Sequence, residues 1–70
     1  MIKYKRGSLT SFEKYYYTEV PGFATFAEWL WTEYEAVLDI KNDFTLFATN
    51  VISFTNPEDE VVFRLRWEIL

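Results

Sequence analysis

The sequence predicts an α+β fold: a small antiparallel sheet of three or four strands in ββαββ order, with one amphipathic helix packed on one face. Three observations carry this prediction. A capping box, Thr25-Phe26-Ala27-Glu28, opens a run with helical spacing. Residues 44–54 and 61–70 alternate in the period of a strand. The first nineteen residues begin with the same alternation and continue in strand-forming residues.

Ile2 and Tyr4 alternate with Lys3 and Lys5, and Gly7-Ser8 offers a turn. Residues 9–19 are rich in Thr, Tyr and Phe and read as the second strand. Thr10-Ser11-Phe12-Glu13 also matches a capping box, so a short helix is the alternative there. Pro21-Gly22 breaks whatever precedes it. The helix opened by Thr25 is expected to run to about Asp39. Phe26, Trp29, Leu30, Tyr34, Val37 and Leu38 would share one face, with Glu28, Thr32, Glu35 and Asp39 on the other. Lys41-Asn42-Asp43 supplies the exit. Residues 55–60, around Pro57, read as a turn between two final strands. In the last of them Val61, Phe63, Leu65, Trp67 and Ile69 would point one way. Val62, Arg64, Arg66, Glu68 and Leu70 would point the other.

The chain of 70 residues is expected to form a single domain, residues 1–70. A domain this small commonly needs a staple. Cysteine and histidine are both absent, which removes disulfides and the common soft-metal ligands. Stability is then expected from an aromatic core, from self-association, or from both. Phe, Tyr and Trp make up 21% of the chain, enough for some to be left at an interface. No stretch is apolar for the length of a membrane span, and no apolar segment of a signal peptide follows the basic start. The absence of cysteine suits a reducing compartment, so a cytoplasmic location is expected, the host cytoplasm if the chain is viral.

The net charge of −4 is unevenly spread. Lys3, Lys5, Arg6 and Lys14 put four of the seven basic residues in the first fourteen. Residues 15–63 hold nine acids against one base, Lys41. Such a surface favours basic partners and disfavours phosphate backbones.

Several constellations bear on chemistry. With neither Cys nor His, an activated nucleophile is not expected, nor is an enzyme, a catalytic residue or a cofactor. Glu28 and Glu35 are seven apart on one helix face, but acid–base work by paired carboxylates needs a walled cleft. Glu58-Asp59-Glu60 lacks the spacing and the glycine of a calcium loop and reads as a charged turn, so no metal is expected. Glu33 falls inside the apolar arc of the helix. It is expected to form a buried ion pair with Arg64 or Arg66, to reach the edge, or to meet a cationic group of a ligand or partner. Trp31 borders that arc and is expected at a subunit or partner contact. Tyr15, Tyr16 and Tyr17 would leave aromatic rings on an outer strand face, beside Arg64 and Arg66, as base-stacking sheets do. The acidic balance opposes this, and nucleic acid is not the expected partner.

These features lead to a small acidic protein-binding protein, an inhibitor or adaptor that occludes a basic surface of a partner enzyme. Glu28, Glu35, Asp39, Glu58, Asp59 and Glu60 would meet that surface, and Trp31, Tyr15 and Tyr17 would anchor the contact. In general type the chain is similar to small phage-encoded proteins with anti-host or anti-defence roles. The alternatives are a structural homo-oligomer, a dimer first, joined through the apolar arc and the last strand, or an oligomer that sequesters a small ligand beside Arg64 or Arg66.

Overall fold

Residues 1–8, 10–20, 22, 25–42 and 48–69 are described by the structure, a computed structural model. The chain is α+β, and the described residues form a three-stranded antiparallel sheet, within the expected three or four strands, and three helices where one was predicted. The order is β1 (Ile2–Lys5), α1 (Ser11–Glu19), α2 (Phe26–Tyr34), β2 (Ala36–Asn42), β3 (Ala48–Phe54) and α3 (Pro57–Arg66), which replaces ββαββ.

Each departure has a local cause. Residues 11–19 are helical because the Thr10 hydroxyl accepts from the Glu13 N–H, at 3.4 Å, and because Phe12 and Tyr16, one turn apart, are both buried. The strand preference of Tyr and Thr yields to that packing. Val20 ends the helix in a non-helical conformation, as a residue before proline favours.

The second helix starts as predicted, with Thr25 Oγ1 accepting from the Glu28 N–H at 3.1 Å. It stops at Glu35 rather than near Asp39. Glu35 takes up a left-handed conformation (φ 49°, ψ 40°), and its N–H closes the helix on the Leu30 and Trp31 carbonyls. The next seven residues then pair with β3, Ala36 opposite Phe54 through Asn42 opposite Ala48. Val37, Leu38 and Asp39 therefore lie on a strand, not on the helix.

The largest correction is at the end of the chain. The expected turn and final strand are together one helix, α3. Pro57 occupies its first turn, Glu58, Asp59 and Glu60 follow there, and Arg64 and Arg66 sit in the last turn. Acids at the start and bases at the end both match the helix dipole. The Arg64 guanidinium donates to the Glu60 carboxylate one turn back, at 3.1 Å. The supposed single face of Val61, Phe63, Leu65, Trp67 and Ile69 is split: Phe63 is fully buried, whereas Leu65 is 75% exposed. Leu9, Pro21, residues 23–24, residues 43–47 and Leu70 lie outside the described residues.

The strand order is β1-β3-β2. Ile2, Tyr4, Leu38, Ile52 and Phe54 face the helices and join the core. Rings dominate that core. Phe63 lies at its centre, 5.0 Å from Phe12, 4.9 Å from Tyr34 and 5.4 Å from Phe54 between ring centroids. Phe12, Tyr16, Phe26 and Trp29 continue the network through α1 and α2. Offset and edge-on ring contacts of this kind add stability beyond the area they bury. They serve here in a chain with no disulfide.

Candidate interaction surfaces

All three helices pack on one side of the sheet, so the molecule has two unlike sides. On the helical side, α2 turns Phe26, Trp29 and Leu30 inward and leaves Trp31 54% exposed. Glu28 precedes Trp31 by three residues and Glu35 follows it by four, so both exposed carboxylates stand within a turn of the indole. The Thr55 hydroxyl donates to the Glu35 carbonyl at 3.0 Å. That bond holds the end of α2 against the segment leading into α3, three residues before Glu58.

The three acids of α3 differ in their surroundings. Glu58 is exposed. Asp59 accepts from the Asn56 side-chain amide at 3.3 Å. Glu60 takes the Met1 ammonium at 2.6 Å and the Arg64 guanidinium, and Arg64 also donates to the Met1 carbonyl. The hydrogen bond from the ammonium, with smaller help from Arg64, holds the Glu60 carboxyl below its ordinary value.

Asp39 is not with these acids. It lies on the helix-free face of the sheet, with Lys3 and Asp39 flanking Val51 in register. Met1, Lys3, Lys41, Thr49 and Ser53 complete a shallow depression of about 450 Å3 there. Lys5 shares this face by alternation, so the sheet side gathers three lysines around one acid within an acidic protein. Lys41, alone in an acidic stretch of sequence, is brought beside the basic start of the chain. No local spacing announces that.

The tyrosines fall on α1 rather than on a strand. Tyr16 is in the core, Tyr17 is 69% exposed, and Tyr15 is half-buried against Trp29 and Trp67. Among the described residues the helix-free face carries no aromatic side chain, which removes the outer aromatic strand face expected from Tyr15 to Tyr17 and, with it, the argument for base stacking. Arg64 and Arg66 are helical too, not alternating on a strand.

Glu33 is exposed, so the buried ion pair expected for it is not formed. Arg64 is engaged by Glu60, and the Arg66 guanidinium lies over the rings of Tyr15 and Trp67, 5.0 and 4.8 Å from their centroids. Glu33 and Arg66 do meet at one place. Both line a hollow of about 310 Å3 with Tyr15, Glu19, Trp29 and Tyr34, where the three helices converge. Burial raises the Tyr34 phenol above its ordinary value, although the Trp67 indole and the Arg66 charge pull the other way.

Among the described residues no helix is long and apolar enough to cross a membrane, and no three acidic side chains are gathered where they could hold a metal ion. Compared with known proteins, the chain matches no family model, no curated protein and no solved structure.

Proposed function

We propose that this chain is a protein-binding protein that acts by docking the outer face of α2, and the acidic start of α3 beside it, on a basic surface of a partner. The exposed Trp31 between Glu28 and Glu35 carries this reading. An exposed indole with acids on either side combines an apolar anchor with charges that steer a basic partner. The bond between Thr55 and the Glu35 carbonyl supports it further, because it holds the residues that lead into the acidic start of α3 against the end of α2. An inhibitor or adaptor of a partner enzyme is the form we assign to this activity.

The test is capture of partners from lysate of the source cells by the tagged protein, at low and high salt, beside Trp31→Ala and Glu35→Lys. One dominant basic protein is expected, released by salt, lost with Trp31→Ala and weakened by Glu35→Lys. Retention that ignores both salt and Trp31 would count against the reading.

A second reading, a dimer, is favoured by α3. Val61, Val62 and Leu65 form an exposed apolar strip on it, with acids at one end of the helix and Arg66 at the other. Two antiparallel copies would set Glu58 of each against Arg66 of the other. Sedimentation across a range of concentrations, with Leu65→Glu as the control, separates this reading from a monomer. A concentration-independent monomer sinks it.

A further inference from the structure

Where α1, α2 and α3 converge, three aromatic side chains from two helices line one hollow: Tyr15 from α1, Trp29 and Tyr34 from α2. They form a connected set, with Tyr15 and Trp29 centroids 6.1 Å apart and Trp29 and Tyr34 5.8 Å apart, nearly perpendicular. Glu19 and Glu33 stand in the same wall, and Arg66 brings the single basic group. Two carboxylates against one guanidinium leave an excess of one negative charge. The volume, about 310 Å3, is at the small end of ligand sites, which run from about 300 to 1,000 Å3.

Aromatic faces are electron-rich, and a cation within about 6 Å of a ring centroid is held by that charge distribution. The chain already uses the hollow's rim in this way. The Arg66 guanidinium sits 5.0 Å from the Tyr15 centroid, yet Arg66 is an exposed residue on the last turn of α3 and makes no ion pair there. Among the described residues it is a cation placed over rings rather than against a carboxylate, although Glu19 and Glu33 line the same hollow.

We infer that this hollow is a binding site for an organic monocation, an alkylated ammonium or a guanidinium, which displaces Arg66 and is held by Tyr15, Trp29, Tyr34 and the Glu19 and Glu33 carboxylates. The small volume of this half-open hollow favours a compact head rather than a chain. An anion would meet two carboxylates. A neutral apolar group would gain the ring contacts without the charge.

The site is separate from the surface assigned to partner docking. Trp31 is two residues from Trp29, about 200° round the helix. A Trp31→Ala protein is therefore expected to lose the partner and keep the cation, so the two proposals fail independently.

The test is a titration with choline chloride, read by nuclear magnetic resonance at the rings of Tyr15, Trp29 and Tyr34. The control is choline's uncharged isostere, with carbon in place of nitrogen. Choline is expected to shift those three sets of signals saturably and to bind roughly fivefold or more tightly than the isostere. Glu33→Gln should weaken choline several-fold. Arg66→Gln should tighten it several-fold, since the competing cation is gone. Both side chains are exposed, so neither change threatens the fold. A short peptide bearing one trimethyllysine distinguishes the sources: binding tighter than choline assigns the cation to a protein side chain, and binding no tighter assigns it to a small molecule. Equal binding of choline and its isostere overturns the proposal. So does an absence of shifts at the three rings in both the native protein and Arg66→Gln.

Discussion

The side-chain amide of Asn50 donates to the Tyr4 hydroxyl at 3.2 Å, across 46 positions of sequence. The two residues are opposite one another in the pairing of β1 with β3, and Tyr4 stands edge-on to Phe12 at 5.3 Å. Burial of Tyr4 raises its phenol above the ordinary 10.0, with the Asn50 bond opposing and the nearby Glu13 adding to the rise. A raised pKa stabilises the fold fully below the unfolded value and loses that contribution as pH climbs through the folded one. Stability should therefore fall as pH rises above 10.0.

Tyr4→Phe should cost about 1 kcal/mol at neutral pH, because the Asn50 amide loses its acceptor inside the protein. The Asn50 carbonyl oxygen is itself buried without a partner among the described residues, so losing the Tyr4 hydroxyl would leave both ends of that side-chain amide unpaired. The same variant should blunt the alkaline loss. Urea unfolding at neutral and alkaline pH measures both, and an unchanged alkaline slope would contradict the assignment to Tyr4.

Glu35 holds a left-handed conformation that glycine adopts freely and other residues adopt at a cost. Glu35→Gly is expected to stabilise the fold by about 1 kcal/mol while removing a carboxylate from the proposed docking surface. The urea midpoint should rise as partner capture falls. A lower midpoint would mean that the Glu35 side chain supports the fold in a way its exposure does not suggest.

Glu60 links the beginning of the chain to α3. Its lowered pKa means that its contribution is present above the ordinary carboxylate value of 4.5 and disappears as pH falls through the lower folded value. Acetylating the Met1 amine removes the ammonium that is the largest cause. The Glu60 carboxyl should then titrate closer to 4.5, and the acid arm of the stability profile should flatten. Carboxyl resonances in a pH series provide the measurement.

Phe63 and Leu65 separate a helix from a strand at the end of the chain. On a strand they would share a face and suffer alike. On α3, Phe63→Ala should cost about 3–5 kcal/mol, enough to unfold most molecules of so small a domain. Leu65→Ala should stay within about 0.5 kcal/mol for the monomer. Similar losses at the two positions would refute the arrangement of α3.

The helix starts were legible where a hydroxyl precedes an acid by three residues, at Thr25 and, as the alternative reading, at Thr10. At Thr10 the strand-forming composition of Tyr15, Tyr16 and Tyr17 outweighed the capping signal, although Phe12 and Tyr16 had helical spacing. In α3 two periods coexist. Val61, Phe63 and Leu65 alternate, while Glu60 with Arg64 and Phe63 with Trp67 are four apart. Pro57, with acids after it and arginines at the far end, distinguishes the two. The end of α2 was harder, since Val37 and Leu38 continue the helical pattern and only pairing with β3 pulls them away. For the candidate surfaces, the exposure of Trp31 at the border of the arc could be read locally, whereas Glu33 was expected in a buried ion pair and is exposed. The hollow could not, because Tyr15, Glu33 and Arg66 come from three elements that only the tertiary fold assembles.

The strand order implies a sequence of events during folding. β2 and β3 are separated by only five residues of sequence and can pair early. β1 must wait for β3, and its pairing of Ile2 with Ile52 closes a loop of some fifty residues at a higher entropic cost. The early nucleus is then the β2–β3 hairpin with α2 laid on it, and β1 arrives late. Truncating Ile2 should speed unfolding with little effect on the folding rate, whereas truncating Ile52 should slow folding. The strand that comes first in this sequence would be the last to find its place in the sheet.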